Sequence, residues 1–135
     1  MKRLFADSIY FIALLNERDA THGRAVYFSR ECRAMLVTTR WVLVEFADAL
    51  CEPAWRERAG SFIEFVMSGP GFAVIEESDA LFARGLDLYR KRQDKSWSLT
   101  DCISFVVMAD EELADALTGD RHFEQAGFSA VFAQS

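Results

Sequence analysis

The sequence predicts an α/β fold in which a mostly parallel sheet of about five strands is covered by helices on both faces. Two observations lead to this prediction. Short apolar runs typical of buried strands alternate along the chain with segments whose apolar residues recur at helical spacing. The connections are short, and turn residues such as those at 68–71 mark their positions. We therefore expect a three-layer α/β/α sandwich.

Each predicted element has its own local signal. The apolar runs expected to form strands are residues 3–7, 34–38, 72–75, 114–117 and 129–133. The predicted helices are residues 9–15, 22–33, 40–51, 53–67, 79–92, a segment that begins at 98, and 121–126. The threonine pair at 38–39 and Ser78 are candidate N-caps, and Pro53 suits a first helical turn. The spacing Ser98-x-x-Asp101 matches a capping box.

Composition favours one domain of residues 1–135 that needs no disulfide bonds. Hydrophobic residues make up 51% of the chain and twelve residues are Phe, enough for a sizeable core. The three cysteines are odd in number and lack a Cys-x-x-Cys pair, which indicates reduced thiols in the cytoplasm. The first apolar stretch is interrupted at Asp7 and ends at Leu15, too short to cross a bilayer, so we expect no membrane insertion.

The formal net charge of −6 disfavours contact with a phosphate backbone. Two divalent cations bound at a cluster of acids would add four positive charges and reverse the local potential. Basic residues occur in two groups, at 56–58 and 90–95. Each group is equally well explained as a solvent-exposed helix end.

Four acidic residues are the candidate catalytic and metal-binding groups: Asp7, Glu45, Asp101 and Asp120. Asp7 and Asp120 follow predicted strands, and the carboxyl ends of parallel strands are where such sheets bind ligands. A charge directly after a strand buried on both faces is costly unless it meets water, a partner or a cation. Carboxylates gathered there would repel one another and attract a hard ion such as Mg²⁺ or Mn²⁺.

Each acid taken alone also has a purely structural explanation. Asp7 and Asp120 stand at helix N-cap positions, and Asp101 fits the capping box. Glu45 shares a helix face with Asp48 that solvent would cover. The joint arrangement, and not any single acid, therefore indicates a metal site.

Four motifs follow one another over nearly the whole chain. They are Phe5-Ala6-Asp7-Ser8, Val44-Glu45, Ser98-Leu99-Thr100-Asp101 and Leu117-Thr118-Gly119-Asp120-Arg121-His122-Phe123. With these four motifs in this order, the sequence resembles the PIN-domain nucleases, in particular the VapC-like toxins of type II toxin–antitoxin pairs. The resemblance implies a PIN-like fold.

The resemblance also implies a function. It implies a metal-dependent endoribonuclease in which a metal-activated water attacks the phosphodiester bond. It assigns Asp7, Glu45, Asp101 and Asp120 to catalysis and to one or two Mg²⁺ or Mn²⁺ ions. The hydroxyls of Ser8 and Thr118 would orient carboxylates or water. The implied partners are an RNA substrate, a cognate antitoxin and a second copy of the chain in a homodimer; no membrane is involved.

Two positions depart from the family pattern. Ile9 stands where many relatives carry a small polar residue, and His122 stands near where some place an additional acid. We interpret His22 and His122 as surface or helix-end residues. Most aromatic residues are expected in the core, and Trp41 and Trp97 are those near the proposed site whose contact with substrate we would test.

Two other functions compete with the nuclease. The acidic balance and Ile9 leave open a weakly active or inactive PIN-fold module that binds RNA or serves as a protein scaffold. A phosphoaspartyl phosphatase is disfavoured, because Ile9 occupies the position of the second acid that such an enzyme would need.

Overall fold

The structure is a computed structural model that describes residues 2–133, so the ends of the predicted domain, residues 1 and 134–135, lie outside the described residues. The strands are β1 (Lys2–Ala6), β2 (Ala34–Thr39), β3 (Phe72–Ile75), β4 (Asp115–Leu117) and β5 (Ser129–Ala130). The helices are α1 (Ser8–Leu15), α2 (His22–Glu31), α3 (Arg40–Ala49), α4 (Pro53–Ser68), α5 (Asp79–Lys91), α6 (Leu99–Asp110) and α7 (Arg121–Gln125).

The five strands form one sheet in the order β3-β2-β1-β4-β5, and every pairing is parallel. Three consecutive residues of the central strand, Leu4, Phe5 and Ala6, are at most 1% exposed. Because successive side chains point to opposite faces of a sheet, both faces of β1 are covered. The predicted α/β class with a parallel sheet is confirmed. No helix among the described residues is long and apolar enough to span a membrane.

The strand order places a crevice at the carboxyl ends of β1 and β4. From β1 the chain adds strands first on one side and then on the other, so the order reverses between these two neighbours. Phe5 pairs with Ala116 and Ala6 with Leu117. Asp7 and Thr118 therefore leave the sheet side by side, at the place where open parallel sheets bind ligands.

The last strand is shorter than the sequence predicts. It ends at Ala130, and residues 131–133 form a turn. The amides of Val131 and Phe132 still donate to the carbonyls of Ala116 and Thr118, but the amide of Ala133 turns back to Ala130. The apolar run predicted the burial of this segment but not the point where pairing ends.

Two phenylalanines in helical segments rich in apolar residues are exposed. Phe65 on α4 is 55% exposed and Phe82 on α5 is 41% exposed, whereas Phe46 and Phe105 are buried. Helical periodicity indicates which residues share a face, but it does not indicate whether a second element covers that face.

Helices α5 and α6 make close contact at Gly85. A methyl group at this position would overlap Cγ1 of Ile103 and lie 3.2 Å from its Cα. The same helix, α6, carries Asp101 in its first turn. The absence of a side chain at Gly85 thus sets how closely the helix bearing one of the acids packs against its neighbour.

Gly85→Ala is expected to destabilise the protein by about 1–3 kcal/mol, because Ile103 and the backbone of α6 must move to admit the methyl group. Gly60→Ala is the matched control in the interior of α4, where nothing lies within 4 Å of the new methyl group. That substitution is expected to stabilise by about 0.5–1 kcal/mol. Urea unfolding of both variants checks the prediction, and equal effects would contradict the close contact.

Candidate active site

The structure brings the four candidate acids together from four separate segments. Asp7 follows β1, Glu45 lies in α3, Asp101 lies in the first turn of α6, and Asp120 precedes α7. The charges of Glu45 and Asp101 raise the pKa of Asp7, and the charge of Asp120 raises the pKa values of Glu45 and Asp101. All four carboxylates therefore share one electrostatic environment.

Asp7 is the most deeply buried of the four. Asp7 is only 3% exposed, and burial raises the pKa of its carboxyl group to about 7. The hydroxyl of Thr118 donates to Asp7 Oδ2 at 2.8 Å, which opposes this shift, and the charge of Glu45 adds to it. Asp7 occupies the N-cap position of α1, but its side chain accepts no capping hydrogen bond. Helix capping therefore does not explain this buried acid.

Asp101 belongs both to a helix cap and to the acid cluster. Ser98 Oγ accepts from the Asp101 amide at 2.9 Å, and Asp101 Oδ2 accepts from the Ser98 amide at 3.1 Å, which completes the predicted capping box. Burial raises the pKa of Asp101, the Ser98 and His122 contacts lower it, and the charge of Asp120 raises it. The cap holds this carboxylate in one orientation at the start of α6.

Thr118 connects the acids that follow the two central strands. This residue is fully buried, and its hydroxyl donates to Asp7 while accepting from the Asp120 amide at 3.1 Å. Asp120 in turn caps α7, since its Oδ1 accepts from the His122 amide at 2.9 Å. One hydroxyl thus positions the Asp7 carboxylate and the backbone of Asp120 at the same time.

Ser8 contacts a different acid from the one beside it in the sequence. Its hydroxyl donates to Glu45 Oε1 at 2.5 Å. Glu45 is half-buried, and burial raises its pKa; the Ser8 bond lowers it, and the charges of Asp101, Asp120 and Asp48 raise it. The helix face that we expected solvent to cover is instead turned partly toward the acid cluster.

His122 lies in the first turn of α7, the helix-end position that we expected, and its ring also belongs to the acid cluster. Its Nδ1 lies 3.1 Å from Asp101 Oδ2 and 3.4 Å from Asp120 Oδ1, and its side chain is 30% exposed. One ligand atom from each of Asp101, Asp120 and His122 lies within 4.8 Å of the others, close enough to share an ion. The spacing Asp120-x-His122 at a helix start could have predicted that His122 lies near the acids. An N-cap carboxylate accepts a hydrogen bond from the amide two residues later, which keeps that residue close to it.

The two tryptophans that we named as candidates for substrate contact differ in burial. Trp97 is only 6% exposed; its ring packs on Phe105, with centroids 5.0 Å apart, and its Nε1 donates to Gln125. Trp41 is half-buried and its ring contacts Phe82 at 6.4 Å. Trp97 is therefore a structural residue beside the site, not a free ring.

The donor set fits a divalent cation that prefers oxygen ligands. Asp101, Asp120 and His122 offer ligand atoms within reach of one ion, while Asp7 and Glu45 lie outside that group and interact with it electrostatically. Burial and mutual repulsion raise the pKa values of Asp7, Glu45 and Asp101. Within residues 2–133, no lysine or arginine forms a salt bridge with any of the four acids. A cation with two positive charges would offset this repulsion.

Comparison with solved structures identifies the fold family. VapC20 from Mycobacterium tuberculosis, described as a toxin that cleaves the sarcin-ricin loop, matches with a TM-score of 0.87 and 25% sequence identity, over 95% of this chain and 98% of that one. This chain is a VapC-like PIN-domain protein. A chain of VapBC2 from Rickettsia felis, solved with a DNA fragment from its promoter, matches this VapC-like protein with a TM-score of 0.65 and 11% identity. That second match covers 95% of this chain and 96% of the other, and it concerns the fold alone. No protein-family model and no curated protein sequence matches.

The raised pKa of Asp7 predicts how the stability of the metal-free VapC-like protein depends on pH. The folded state binds the Asp7 proton more tightly than the unfolded state does, so this residue stabilises the fold below about pH 4. That contribution is lost as the pH rises to about 7, by up to about 4 kcal/mol. Asp7→Asn should therefore gain stability relative to the natural protein as pH rises.

Urea unfolding in excess chelator at pH 4.5 and pH 8 measures this difference. Glu64→Gln, an exposed change on α4 that removes the same charge, should differ from the natural protein by the same amount at both pH values. A constant difference for Asp7→Asn would show that Asp7 is ionised throughout.

Proposed function

We propose that this protein is a metal-dependent endoribonuclease that cleaves RNA phosphodiester bonds, and that it acts as the toxin of a toxin–antitoxin pair. The convergence of Asp7, Glu45, Asp101 and Asp120 in a VapC-like PIN fold carries the proposal. The likeness to VapC20 supports RNA as the substrate, since the sarcin-ricin loop is RNA.

All four acids would hold one or two Mg²⁺ or Mn²⁺ ions. Such an ion, when bound, lowers the pKa of water and offsets the charge of a phosphate. The residues of the chain prepare the site: Thr118 holds Asp7, Ser8 holds Glu45, and the capping bond from Ser98 holds Asp101. These contacts fix the carboxylates before any ion or substrate arrives, which limits the reorganisation that binding requires.

The partners follow from the family. VapBC2 supports an antitoxin as the protein partner, which we place next to this chain in the cytoplasm. A homodimer is proposed from the family resemblance alone. The competing function, an inactive PIN-fold module, has the acidic net charge and Ile9 in its favour, and it predicts RNA binding without metal binding.

Cleavage of a labelled single-stranded RNA should require Mg²⁺ or Mn²⁺ and should stop in excess chelator. Asp7→Asn and Asp101→Asn should each lower the rate at least about 100-fold, because each removes a charge that holds the ion. Circular dichroism verifies that both variants fold, and Glu64→Gln serves as the charge-matched control with unchanged activity.

Undiminished cleavage in chelator would refute the proposed mechanism. Failure of the protein to bind Mn²⁺ in a calorimetric titration, with RNA binding retained, would favour the inactive module.

His122 should make the site favour Mn²⁺ over Mg²⁺, because an imidazole nitrogen suits transition ions better than it suits Mg²⁺. Calorimetry on His122→Asn should show a loss of Mn²⁺ affinity of about tenfold and a smaller loss for Mg²⁺. His22→Asn removes the other histidine, whose Nδ1 bonds to Ala13, and should change neither affinity. Equal losses for both ions would mean that His122 only holds Asp101 and Asp120 in place.

A further inference from the structure

A basic pocket of about 950 Å³ opens where α5 ends and the chain runs toward α6. We refer to it as the α5–α6 pocket. Its lining includes one acid, Asp87, and four cationic residues: Arg90, Lys91, Arg92 and Lys95. This local excess of positive charge stands out in a chain with a net charge of −6.

Helix stability explains only part of this cluster. Arg90 and Lys91 lie in the last turn of α5, where cations interact favourably with the carboxyl end of a helix. Lys95 lies four residues beyond the helix, outside that influence. Lys91 pairs with Asp87, Arg92 donates two hydrogen bonds of 3.0 Å to Asp94, and Lys95 Nζ lies 3.9 Å from the same Asp94 carboxylate. All these pairs are solvent-accessible, so a phosphate can compete with the two carboxylates for the cations.

The wall of the α5–α6 pocket is joined to the acid cluster. Trp97 lines the pocket, and the amide of the next residue, Ser98, donates to Asp101 Oδ2 at 3.1 Å. Covalent geometry therefore places the Trp97 Cα within about 6 Å of that oxygen. The Trp97 indole also donates to Gln125 on α7, the helix that Asp120 caps. The pocket thus has a fixed position relative to two of the acids.

An exposed aromatic ring lies among the cations. Tyr89 is 49% exposed and lines the same pocket as Arg90 and Lys95. Arg92 is stacked over the buried Trp97 ring at 4.9 Å, which orients its guanidinium in the pocket wall. A ring set among cations can stack on an unpaired base while the cations hold the adjacent phosphates.

We propose that the α5–α6 pocket binds single-stranded RNA next to the cleavage site, with Arg90, Arg92 and Lys95 on backbone phosphates and Tyr89 stacked on a base. This inference rests on the proposed endoribonuclease function. Four ionised acids with one bound divalent ion still sum to −4 + 2 = −2, so neighbouring cations supply the attraction that keeps the substrate in place. An acidic protein segment would match the charge but would give Tyr89 and the nearby acids no role.

The test measures RNA binding in an Asp7→Asn background, so that the probe is not cut. Binding of a fluorescein-labelled single-stranded oligonucleotide is followed by polarisation at several salt concentrations. The double variant Arg90→Gln with Lys95→Gln should lower the affinity at least tenfold at low salt. The slope of log affinity against log salt should become shallower by about 1.4, because two phosphate contacts are lost.

The matched control is Arg56→Gln with Arg58→Gln, two exposed arginines on α4 that make the same change in net charge. It should leave the salt slope unchanged. An equal loss in both double variants would overturn the proposal in favour of a general charge effect, and so would an unchanged affinity in the pocket variant.

Substitutions of Tyr89 distinguish stacking on RNA bases from simple attraction to negative charge. Tyr89→Ala should weaken RNA binding at least fivefold but leave the binding of inorganic polyphosphate unchanged, and Tyr89→Phe should preserve both. Equal losses for the two polyanions would overturn the stacking role. Poly-glutamate binding that depends on the pocket while RNA binding does not would overturn the RNA assignment and point to an acidic protein partner.

The two proposals fail in different ways. If the natural protein cleaves RNA in Mn²⁺ while the pocket variants bind RNA normally, only the docking site is wrong. If the natural protein neither binds nor cleaves RNA, the endoribonuclease function fails as well.

Discussion

The hydrogen bonds of Thr118 are the interaction on which the site depends. Its buried hydroxyl donates to Asp7 and accepts from the Asp120 amide, so one side chain joins the carboxyl ends of β1 and β4. The parallel register of these strands puts Asp7 and Thr118 side by side. Without that donor, a carboxylate at 3% exposure would lose the contact that most opposes its desolvation. The position of the most buried acid follows from this pairing.

Helix caps orient two of the other acids, Asp101 and Asp120. Asp101 completes a capping box with Ser98, and Asp120 caps α7 through the amide of His122. A cap restricts a carboxylate to a narrow range of orientations, and here that range directs the acids toward one another. The structural explanation of these residues and the functional one that we propose, which compete when each residue is taken alone, are therefore compatible in the folded chain.

The distribution of charge also separates two tasks. The acid cluster concentrates negative charge that a divalent cation can offset, while cations line the α5–α6 pocket, whose wall at Trp97 is followed directly by the residue that bonds Asp101. An acidic protein can in this way meet a polyanion, because the local potential at the site, and not the net charge, governs contact with a phosphate. The buried Trp97 contacts Phe105 on α6 and Gln125 on α7 and so joins the pocket wall to the two helices that begin at the acids.

The sequence by itself determined the alternation of strands and helices, the parallel sheet, the capping box at Ser98 and the choice of four candidate acids, because each depends on local periodicity or on motif order. It did not determine the burial of Trp97, the exposure of Phe65, or the end of β5. Those features depend on which distant element covers a given face. The partner of Ser8 lies 37 residues away and that of Thr118 lies 111 residues away. Only the tertiary structure decides such contacts. It also decides that the ring of His122 points toward the acids, because packing, and not spacing in the sequence, sets the direction of a side chain.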